Sequence, residues 1–262
     1  MHGSFIWHEL MTPDTEAAKA FYSKLLDWTP TDMEMAGEMS GFTYTTFAVP
    51  GFPSGVAGMM ALTPELASQG IPPNWTGYVE VDDVDATAAE YEKAGGAIHR
   101  APDDIPGIGR FAVVADPQGA VLCIMTPKME GGGFGEWPAP GSPGTVGWNE
   151  LMAGDAPSAF DFYADRFGWR KDMAVDMDKL GVYQTFKLGD RGIGGMMTKL
   201  PEMPVPYWGY YFVVSAIDSA VEQVEALGGK LLMGPHEVPG GVWIANCQDP
   251  QGAYFSLTAS RR

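Results

Sequence analysis

The chain has 262 residues, which is long for one average domain and suits two domains of about 125 residues. Its formal net charge of -17, from 16 basic and 33 acidic side chains, argues against nucleic acid as a partner, because few Lys or Arg can contact phosphates. No stretch approaches the roughly 18 apolar residues of a membrane helix, and the start lacks a signal-peptide pattern, so we expect a cytoplasmic protein without membrane association. Cys123 and Cys247 are too few for a disulfide framework.

The start of the chain predicts a strand followed by a helix. Residues 6–11, IWHELM, have a short extended pattern, and Asp14 then suits the N-cap of a helix. Apolar side chains follow at the spacing of a core-facing helix, namely Ala18, Phe21, Tyr22 and Leu25.

Further strands and a second helix are predicted along the next hundred residues. The runs TYTTFAV, GVAGMMAL and TGYVEVDD have the composition of strands. The helix after them carries Val84, Ala88 and Tyr91 on one face and ends at a Gly-Gly pair. FAVVADPQGAVLCIM predicts a hairpin that turns at DPQG, which places His99 and His236 in the loops before the closing hairpins. The predicted order is βαβββ, twice in each half of the chain.

The first half of the sequence recurs in the second half. FIWHELMTPDTEAAKAFYSKLLDW matches VGWNELMAGDAPSAFDFYADRFGW with Asp14 on Asp155, an offset of 141. DPQGA from Asp116 recurs from Asp249, an offset of 133. The difference, 141 − 133 = 8, predicts that the second copy is eight residues shorter between its first helix and its middle strand.

A Gly- and Pro-rich segment, KMEGGGFGEWPAPGSPG, separates the two copies. We therefore predict a first domain over residues 1–127, a linker over 128–144 and a second domain over 145–262. The three consecutive glycines of the chain lie in this linker and not after a strand, so we expect no flavin or nicotinamide site and no cofactor.

Three motifs occur together in this order: L-x-x-x-D with A, FY and GW after it, V-D-D-V-D, and F-x-x-x-x-D-P-x-G. With them the chain resembles the vicinal oxygen chelate superfamily of glyoxalase, bleomycin-resistance and extradiol dioxygenase proteins, over essentially its whole length. The WxEL opening and GRFAVVADPQGA are most similar to tandem two-domain glyoxalase-like proteins that are often labelled hydroxylases. The resemblance implies an α+β fold of two tandem domains, each with two βαβββ modules that curl an open mixed sheet around a cup, with helices outside.

Metal-dependent members of the family place ligands on the first strand, at the start of the fifth strand and on the eighth. Carried over to this sequence, those three positions hold Trp7, Thr76 and Cys123 in the first copy and Trp148, Gly209 and Ser256 in the second. A catalytic divalent ion needs about three donors with lone pairs. Neither copy retains three, so we predict no metal.

Strand alternation from these positions indicates which side chains line the cups. The predicted ligand-binding residues are Trp7, Met11, Thr76, Tyr78, Glu80 and Cys123 in the first copy and Trp148, Tyr211 and Ser256 in the second. Arg110 is a further candidate for an anionic ligand, although pairing with the acidic surface is the favoured interpretation. Aromatic cups with few polar groups favour a small apolar or planar ligand.

Glu9 and Glu150 are the candidate catalytic residues. A carboxylate beside Trp in a partly dry cup is expected to have a raised pKa and to serve as a general acid or base. The competing interpretation, which we favour, is a glutamate that hydrogen-bonds neighbouring backbone or the other copy.

Three functions remain open at this point. The leading hypothesis is a metal-independent protein that binds a small organic molecule. The alternative is an isomerase, lyase or other proton-transfer enzyme acting on a small carbonyl or oxygenated metabolite through Glu9. The third is a metal-dependent glyoxalase or dioxygenase. Because the tandem copies can replace a homodimer, we expect a monomer with a pseudo-dimeric arrangement, or a weak homodimer.

Overall fold

The computed structural model describes residues 1–34, 42–128 and 137–262. The first copy has the order strand, helix and three strands, then the same order again, with a short extra helix between the two modules. Its elements are β1 (Phe5–Thr12), α1 (Thr15–Leu25), β2 (Thr29–Glu34), β3 (Thr43–Val49), β4 (Phe52–Ala61), α2 (Pro64–Ser68), β5 (Asn74–Glu80), α3 (Val84–Lys93), β6 (Ala97–Ile105), β7 (Gly109–Ala115) and β8 (Val121–Pro127).

The second copy repeats this order with a 3-10 helix, Asp178–Leu180, before its third strand. Its elements are β9 (Val146–Ala153), α4 (Ala156–Phe167), β10 (Arg170–Asp176), β11 (Val182–Leu188), β12 (Arg191–Thr198), β13 (Tyr207–Val213), α5 (Ile217–Ala226), β14 (Lys230–Val238), β15 (Val242–Gln248) and β16 (Tyr254–Ala259). The predicted βαβββ order is confirmed. Residues 129–136 of the predicted linker lie outside the described residues.

The strands form two eight-stranded mixed sheets. Their orders are β2-β3-β4-β1-β5-β8-β7-β6 and β10-β11-β12-β9-β13-β16-β15-β14. In each module the first strand runs parallel to the last, as β1 does to β4 and β5 to β8, whereas strands joined by hairpins run antiparallel. Parallel partners need a long connection, and the intervening helix and hairpin supply it. The α+β prediction is confirmed.

Aspartates begin three of the helices. Asp14 accepts the backbone N–H of Ala17 at 3.0 Å, and Asp83 and Asp155 cap α3 and α4 in the same way. Each of these bonds satisfies one backbone donor that the first helical turn leaves without a partner. The predicted cap at Asp14 is confirmed, as is the buried face of α1, which consists of Ala18, Phe21, Tyr22 and Leu25.

The eight residues missing from the second copy are lost at three places along the first module and the connection after it. The offset between the copies is 141 at β2 and β10, 139 at β3 and β11, 137 at Met59 and Met196, and 133 at β5 and β13. The largest step lies between the fourth and fifth strands, where only the first copy has a short helix, α2. The shortening therefore falls between β2 and β3, within β4, which has 10 residues against 8 in β12, and between β4 and β5.

The described residues pack into two compact units, and neither unit is one copy of the repeat. The Asp116 unit consists of residues 1–6, 76–128 and 148–209, and the Asp249 unit of residues 7–34, 42–75, 137–147 and 210–262. Each unit thus joins the first βαβββ module of one copy to the second module of the other.

Aromatic side chains fill the core of each unit. In the Asp249 unit they are Phe21, Tyr22, Trp28, Phe47, Trp75, Phe212 and Phe255, and in the Asp116 unit Tyr91, Tyr163, Phe167, Trp169, Phe186 and Trp208. Trp28 Nε1 donates to the backbone oxygen of Gly144 at 2.8 Å, and Trp169 Nε1 donates to that of Gly3 at 2.7 Å. Trp28 therefore bonds the segment just before β9, and Trp169 bonds the segment just before β1.

The prediction that His99 and His236 lie in loops is wrong. His99 lies on β6 and His236 on β14, the outermost strands on one side of the two sheets. Neither strand alternates regularly between buried and exposed side chains, so both lack the pattern that predicts a strand. Among the described helices, none is long and apolar enough to cross a membrane.

Candidate functional site

Trp7 and Tyr44 form a hydrogen-bonded pair in the Asp249 unit. We call this pair, together with Gly58, the Trp7 platform. Trp7 Nε1 donates to the Tyr44 hydroxyl at 2.9 Å. A Cβ at Gly58 would collide with that hydroxyl and lie 2.8 Å from Trp7 Nε1, so the strand needs glycine where the pair crosses it. Trp137 packs edge-on against Trp7 with ring centroids 6.4 Å apart. The result is a rigid aromatic surface on the sheet.

The same arrangement recurs in the Asp116 unit as the Trp148 platform, formed by Trp148, Tyr183 and Gly195. Trp148 Nε1 donates to the Tyr183 hydroxyl at 2.8 Å. A Cβ at Gly195 would collide with the Tyr183 ring. Two modules from different copies therefore hold a Trp–Tyr pair over glycine in the same way.

Sequence reasoning missed Tyr44 and Tyr183, although a signal for them exists. At the offset of 139 that relates β3 to β11, TYTTFAV aligns with VYQTFKL, which superposes Tyr44 on Tyr183 and Phe47 on Phe186. The two offsets used for the prediction, 141 and 133, skip this strand.

The two glutamates stand opposite the platform glycines. Glu9 faces Gly58 across the parallel pair β1 and β4, and Glu150 faces Gly195 across β9 and β12. Each glutamate is two residues after its Trp and so lies on the same side of the strand. Glu150 is buried, at 9% exposure, and Glu9 is half-buried. Each unit thus brings together a Trp, a Tyr and a Glu.

The other predicted residues of the first copy divide between the units. Met11, opposite Met60 on β4, belongs to the Asp249 unit. In the Asp116 unit Tyr78 lies opposite Cys123 on the parallel strand β8, and both side chains are buried. Tyr78 also packs on Phe111 with ring centroids 6.3 Å apart.

Two predicted positions in the Asp116 unit are engaged by charge. Glu80, the last residue of β5, forms an ion pair with the ammonium group of Met1, and Thr76 near the start of the same strand is half-buried. Arg110 donates two hydrogen bonds to Asp85, at 2.6 and 2.8 Å, and this guanidinium holds the pKa of the Asp85 carboxyl below its ordinary value. Binding of a ligand by Arg110 stays a prediction.

Tyr211 and Ser256, predicted for the second copy, lie opposite each other on parallel strands of the Asp249 unit. Ser256 also faces Asn246 on the antiparallel strand β15 and accepts a hydrogen bond from its side-chain nitrogen at 2.9 Å. Sequence reasoning did not identify Asn246. Its copy-one equivalent at the offset of 133 is Val113, so comparing the copies gave no repeated polar residue.

The side chains at the family's metal positions do not fit a metal. The indole nitrogens of Trp7 and Trp148 donate their hydrogens to tyrosine and have no lone pair to offer a cation. Within residues 1–34, 42–128 and 137–262, no three His, Cys, Asp or Glu side chains lie close enough together to hold an ion. The donor set therefore lacks the three ligands of a catalytic metal centre.

The DPQGA motif has a role that the sequence did not reveal. The aspartate lies in the predicted turn, and in each copy it also bonds a tyrosine from the other copy. Asp116 accepts the hydroxyl of Tyr163 at 3.0 Å, and Asp249 accepts that of Tyr22 at 2.9 Å. We call these the Asp116 clamp and the Asp249 clamp.

The second carboxylate oxygen of each clamp stabilises the turn itself. It accepts two backbone N–H groups, from Gln118 and Ala120 at Asp116 and from Gln251 and Ala253 at Asp249. Burial raises the pKa of both tyrosines, which keeps them neutral hydrogen-bond donors, and it raises the pKa of the Asp249 carboxyl.

A family model described as Glyoxalase/Bleomycin resistance protein/Dioxygenase superfamily matches residues 5–124 and 145–257. CFP32 of Mycobacterium bovis, a provisionally named glyoxylase, is 32% identical over 253 residues, which cover 96% of this chain and 92% of that protein. The anthracycline biosynthesis protein DnrV of Streptomyces peucetius is 33% identical over 270 residues, which cover 99% of this chain and 94% of that protein.

Solved structures share the fold at low sequence identity. The Mn(II)-bound glyoxalase from Novosphingobium aromaticivorans matches with a TM-score of 0.68 and 16% identity, covering 100% of this chain and 83% of that chain. The 2,3-dioxygenase LapB from Pseudomonas sp. KL28 matches with a TM-score of 0.65 and 12% identity, covering 97% and 91%.

Proposed function

We propose metal-independent binding of a small planar organic molecule as the function of this chain, which belongs to the Glyoxalase/Bleomycin resistance protein/Dioxygenase superfamily. The observation that carries the proposal is the duplicated Trp–Tyr platform. A planar ligand gains affinity by stacking on rigid aromatic side chains that lose little entropy on binding.

The chemistry at the family's metal positions supports binding without a metal. Indole nitrogens occupy the first-strand position in both copies, and they already donate to Tyr44 and Tyr183. An aromatic ring can stack on a ligand from this position but cannot polarise a ligand oxygen as a cation would.

The relatives support the class of ligand. DnrV and DauV are named as anthracycline biosynthesis proteins, and anthracyclines contain fused planar rings. Each of them is 33% identical to this chain, which spans 94% of its length. We propose a ligand of the same broad chemistry, a neutral molecule with fused aromatic rings. A neutral ligand also avoids repulsion by the net charge of -17.

The test is calorimetric titration of the protein, in the presence of the metal chelator EDTA, with 2-naphthol and 2-methylnaphthalene. We expect both probes to bind under these conditions. Trp7→Leu and Trp148→Leu should each weaken binding at their own site by about tenfold, because a well-placed aromatic contact contributes about 1 kcal/mol or more. Trp243→Leu is the matched control, since Trp243 packs against Arg262 and belongs to neither platform. No binding to the unsubstituted chain, or binding only with added Zn²⁺, Fe²⁺ or Mn²⁺, would contradict the proposal.

A second candidate function, proton transfer, is favoured by the register of the glutamates. Glu9 and Glu150 each lie opposite a platform glycine, beside an aromatic pair, where an acid–base group could reach a ligand on the platform. The probe reaction is exchange of the carbon-bound hydrogens of dihydroxyacetone with deuterium, followed by NMR. This function would be established if the chain catalyses the exchange, Glu9→Gln or Glu150→Gln abolishes it, and the exposed control Glu92→Gln leaves it intact. The absence of catalysed exchange would exclude the function for this carbonyl class.

A further inference from the structure

The amide of Asn246 is incompletely hydrogen-bonded although it is packed into the sheet. Its nitrogen donates to the Ser256 hydroxyl at 2.9 Å. Its oxygen is buried and has no hydrogen-bond partner among the residues that the structure describes. A buried amide oxygen without a partner costs free energy, because folding removes the water that bonded it.

Asn246 lies on the face of the sheet away from α5. Its neighbours along β15, Ala245 and Cys247, are 0% and 1% exposed. Burial on that side raises the pKa of the Cys247 thiol to about 12. Since side chains alternate along a strand, Asn246 points to the opposite face, where the register also places Ser256 and Tyr211.

The residue as a whole is half-buried, so some of its atoms are accessible although Oδ1 itself is not. Tyr211 and Ser256 are the two residues of the second copy that the sequence predicts for ligand binding in this unit. Asn246 therefore adds a polar group beside positions that strand alternation had already assigned to the cup.

The equivalent cross-strand pair in the first copy is apolar. Val113 faces Cys123 there, as Asn246 faces Ser256 in the second copy. Both pairs lie between the seventh and eighth strands of their copies, and the offset of 133 relates each residue to its counterpart. The copies thus share the aromatic platform but differ in hydrogen-bonding capacity at this position.

Reversing the amide does not remove the deficit. If the oxygen faced Ser256, the nitrogen would take its place as the buried group without a partner, because one end of the amide bonds Ser256 and the other bonds nothing described. A hydroxyl group can both donate and accept, so it satisfies either orientation.

We propose that Asn246 is a specificity-determining residue that recognises a hydroxyl group on the ligand of the Asp249 unit. The inference rests on the proposed function and deepens it, since it names the ligand class as a hydroxylated aromatic molecule. The Asp116 unit, with Val113 and Cys123, accepts the apolar counterpart without this preference.

The experiment compares 2-naphthol with 2-methylnaphthalene, which places a methyl group where the naphthol has its hydroxyl. Both are titrated calorimetrically into the unsubstituted chain, Asn246→Val and the reciprocal variant Val113→Asn. Asn246→Val carries the first copy's own residue and is the matched change. We expect it to weaken 2-naphthol binding by about tenfold, the effect of about one hydrogen bond, and to leave 2-methylnaphthalene affinity unchanged.

The methyl probe shows that the variant remains folded and that its platform still binds. A gain of 2-naphthol affinity in Val113→Asn would support the inference further. Equal losses for both probes in Asn246→Val, or no loss for either, would overturn it while leaving the proposed function intact. Failure of both probes to bind the unsubstituted chain would overturn the proposed function, and the inference with it.

Discussion

The Asp116 and Asp249 units contain the same clamp, yet the glutamine that follows each aspartate by two residues behaves differently. Gln118 donates to the backbone oxygen of Asp155 and the Ser158 hydroxyl, both at 3.0 Å, and accepts the N–H of Asp155 at 2.7 Å. It thereby holds the start of α4. In the Asp249 unit, Gln251 Oε1 is buried and has no partner among the described residues, beside a groove of about 320 Å³ next to α1.

One residue before the helix cap explains this difference. Gly154 precedes Asp155, and a Cβ there would lie 2.8 Å from Gln118 Oε1. The first copy has Pro13 at the equivalent position, at the offset of 141. A proline ring at this position would fill the space that Gln118 occupies beside Gly154. Both copies of the turn therefore have the carboxylate clamp. The contact of the glutamine with the helix start depends on a single small residue, Gly154, in another module.

The largest expected effect comes from removing either clamp. Asp116→Ala and Asp249→Ala each leave two backbone N–H groups and a buried tyrosine hydroxyl without their acceptor, so we expect each to lower the free energy of unfolding by about 3 kcal/mol or more. Chemical denaturation measures this, and fully exposed Asp190→Ala is the control, expected to stay within about 0.5 kcal/mol. A small effect at one aspartate only would show that the clamps are not equivalent.

Substitution of the platform glycines tests the equivalence of the two aromatic surfaces. Gly58→Ala and Gly195→Ala force Tyr44 or Tyr183 out of place, and we expect each to cost about 1–3 kcal/mol, the usual range for overpacking. Tryptophan fluorescence should shift as well, because the Trp–Tyr hydrogen bond is lost. Gly70→Ala is unsuitable as a control, since Gly70 has a positive φ, so Gly209→Ala, with no atom within 3.4 Å of its Cβ, serves instead. Unchanged fluorescence in either platform variant would argue against a glycine requirement there.

The pH dependence of the free energy of unfolding tests the raised pKa of the Asp249 carboxyl. Burial raises the pKa of its carboxyl above the ordinary 3.8, so the folded chain binds this proton more tightly than the unfolded chain does. Its contribution to stability is therefore fully present below pH 3.8 and is lost as the pH rises through the raised pKa. Relative to Asp249→Asn, which does not titrate, the free energy of unfolding of the unsubstituted chain should fall as the pH rises from 3.8 through the raised pKa. A difference independent of pH would contradict this.

The smallest expected effect contrasts the two glutamines. Gln118→Ala removes three partly exposed hydrogen bonds at the start of α4, and we expect a loss of about 1 kcal/mol. Gln251→Ala removes an oxygen without a described partner, so thermal unfolding should change little or move upward slightly. Equal losses in both variants would mean that Gln251 is engaged as firmly as Gln118.

Local patterns were sufficient for most of the fold. The cap at Asp14 and the apolar spacing on α1 are short-range properties, and both were read correctly. Residues of edge strands β6 and β14 were assigned to loops because neither sequence has the regular alternation that marks a strand. The site was only half predicted for a related reason: alternation identified Trp7 and Glu9 on one strand, but Tyr44 comes from a strand more than 30 residues away, which no periodicity links to it.

The sequence by itself determined the duplication and the βαβββ order, because both follow from residue identity and spacing along the chain. Only the tertiary structure decided that the compact units combine modules from different copies, since the tyrosine of one copy and the aspartate of the other lie more than 40 residues apart in sequence. The tertiary structure likewise decided that the Asn246 side-chain nitrogen bonds Ser256 while its oxygen has no partner among the described residues. Register and burial, which set these contacts, depend on how distant strands pair, and no local pattern encodes that pairing.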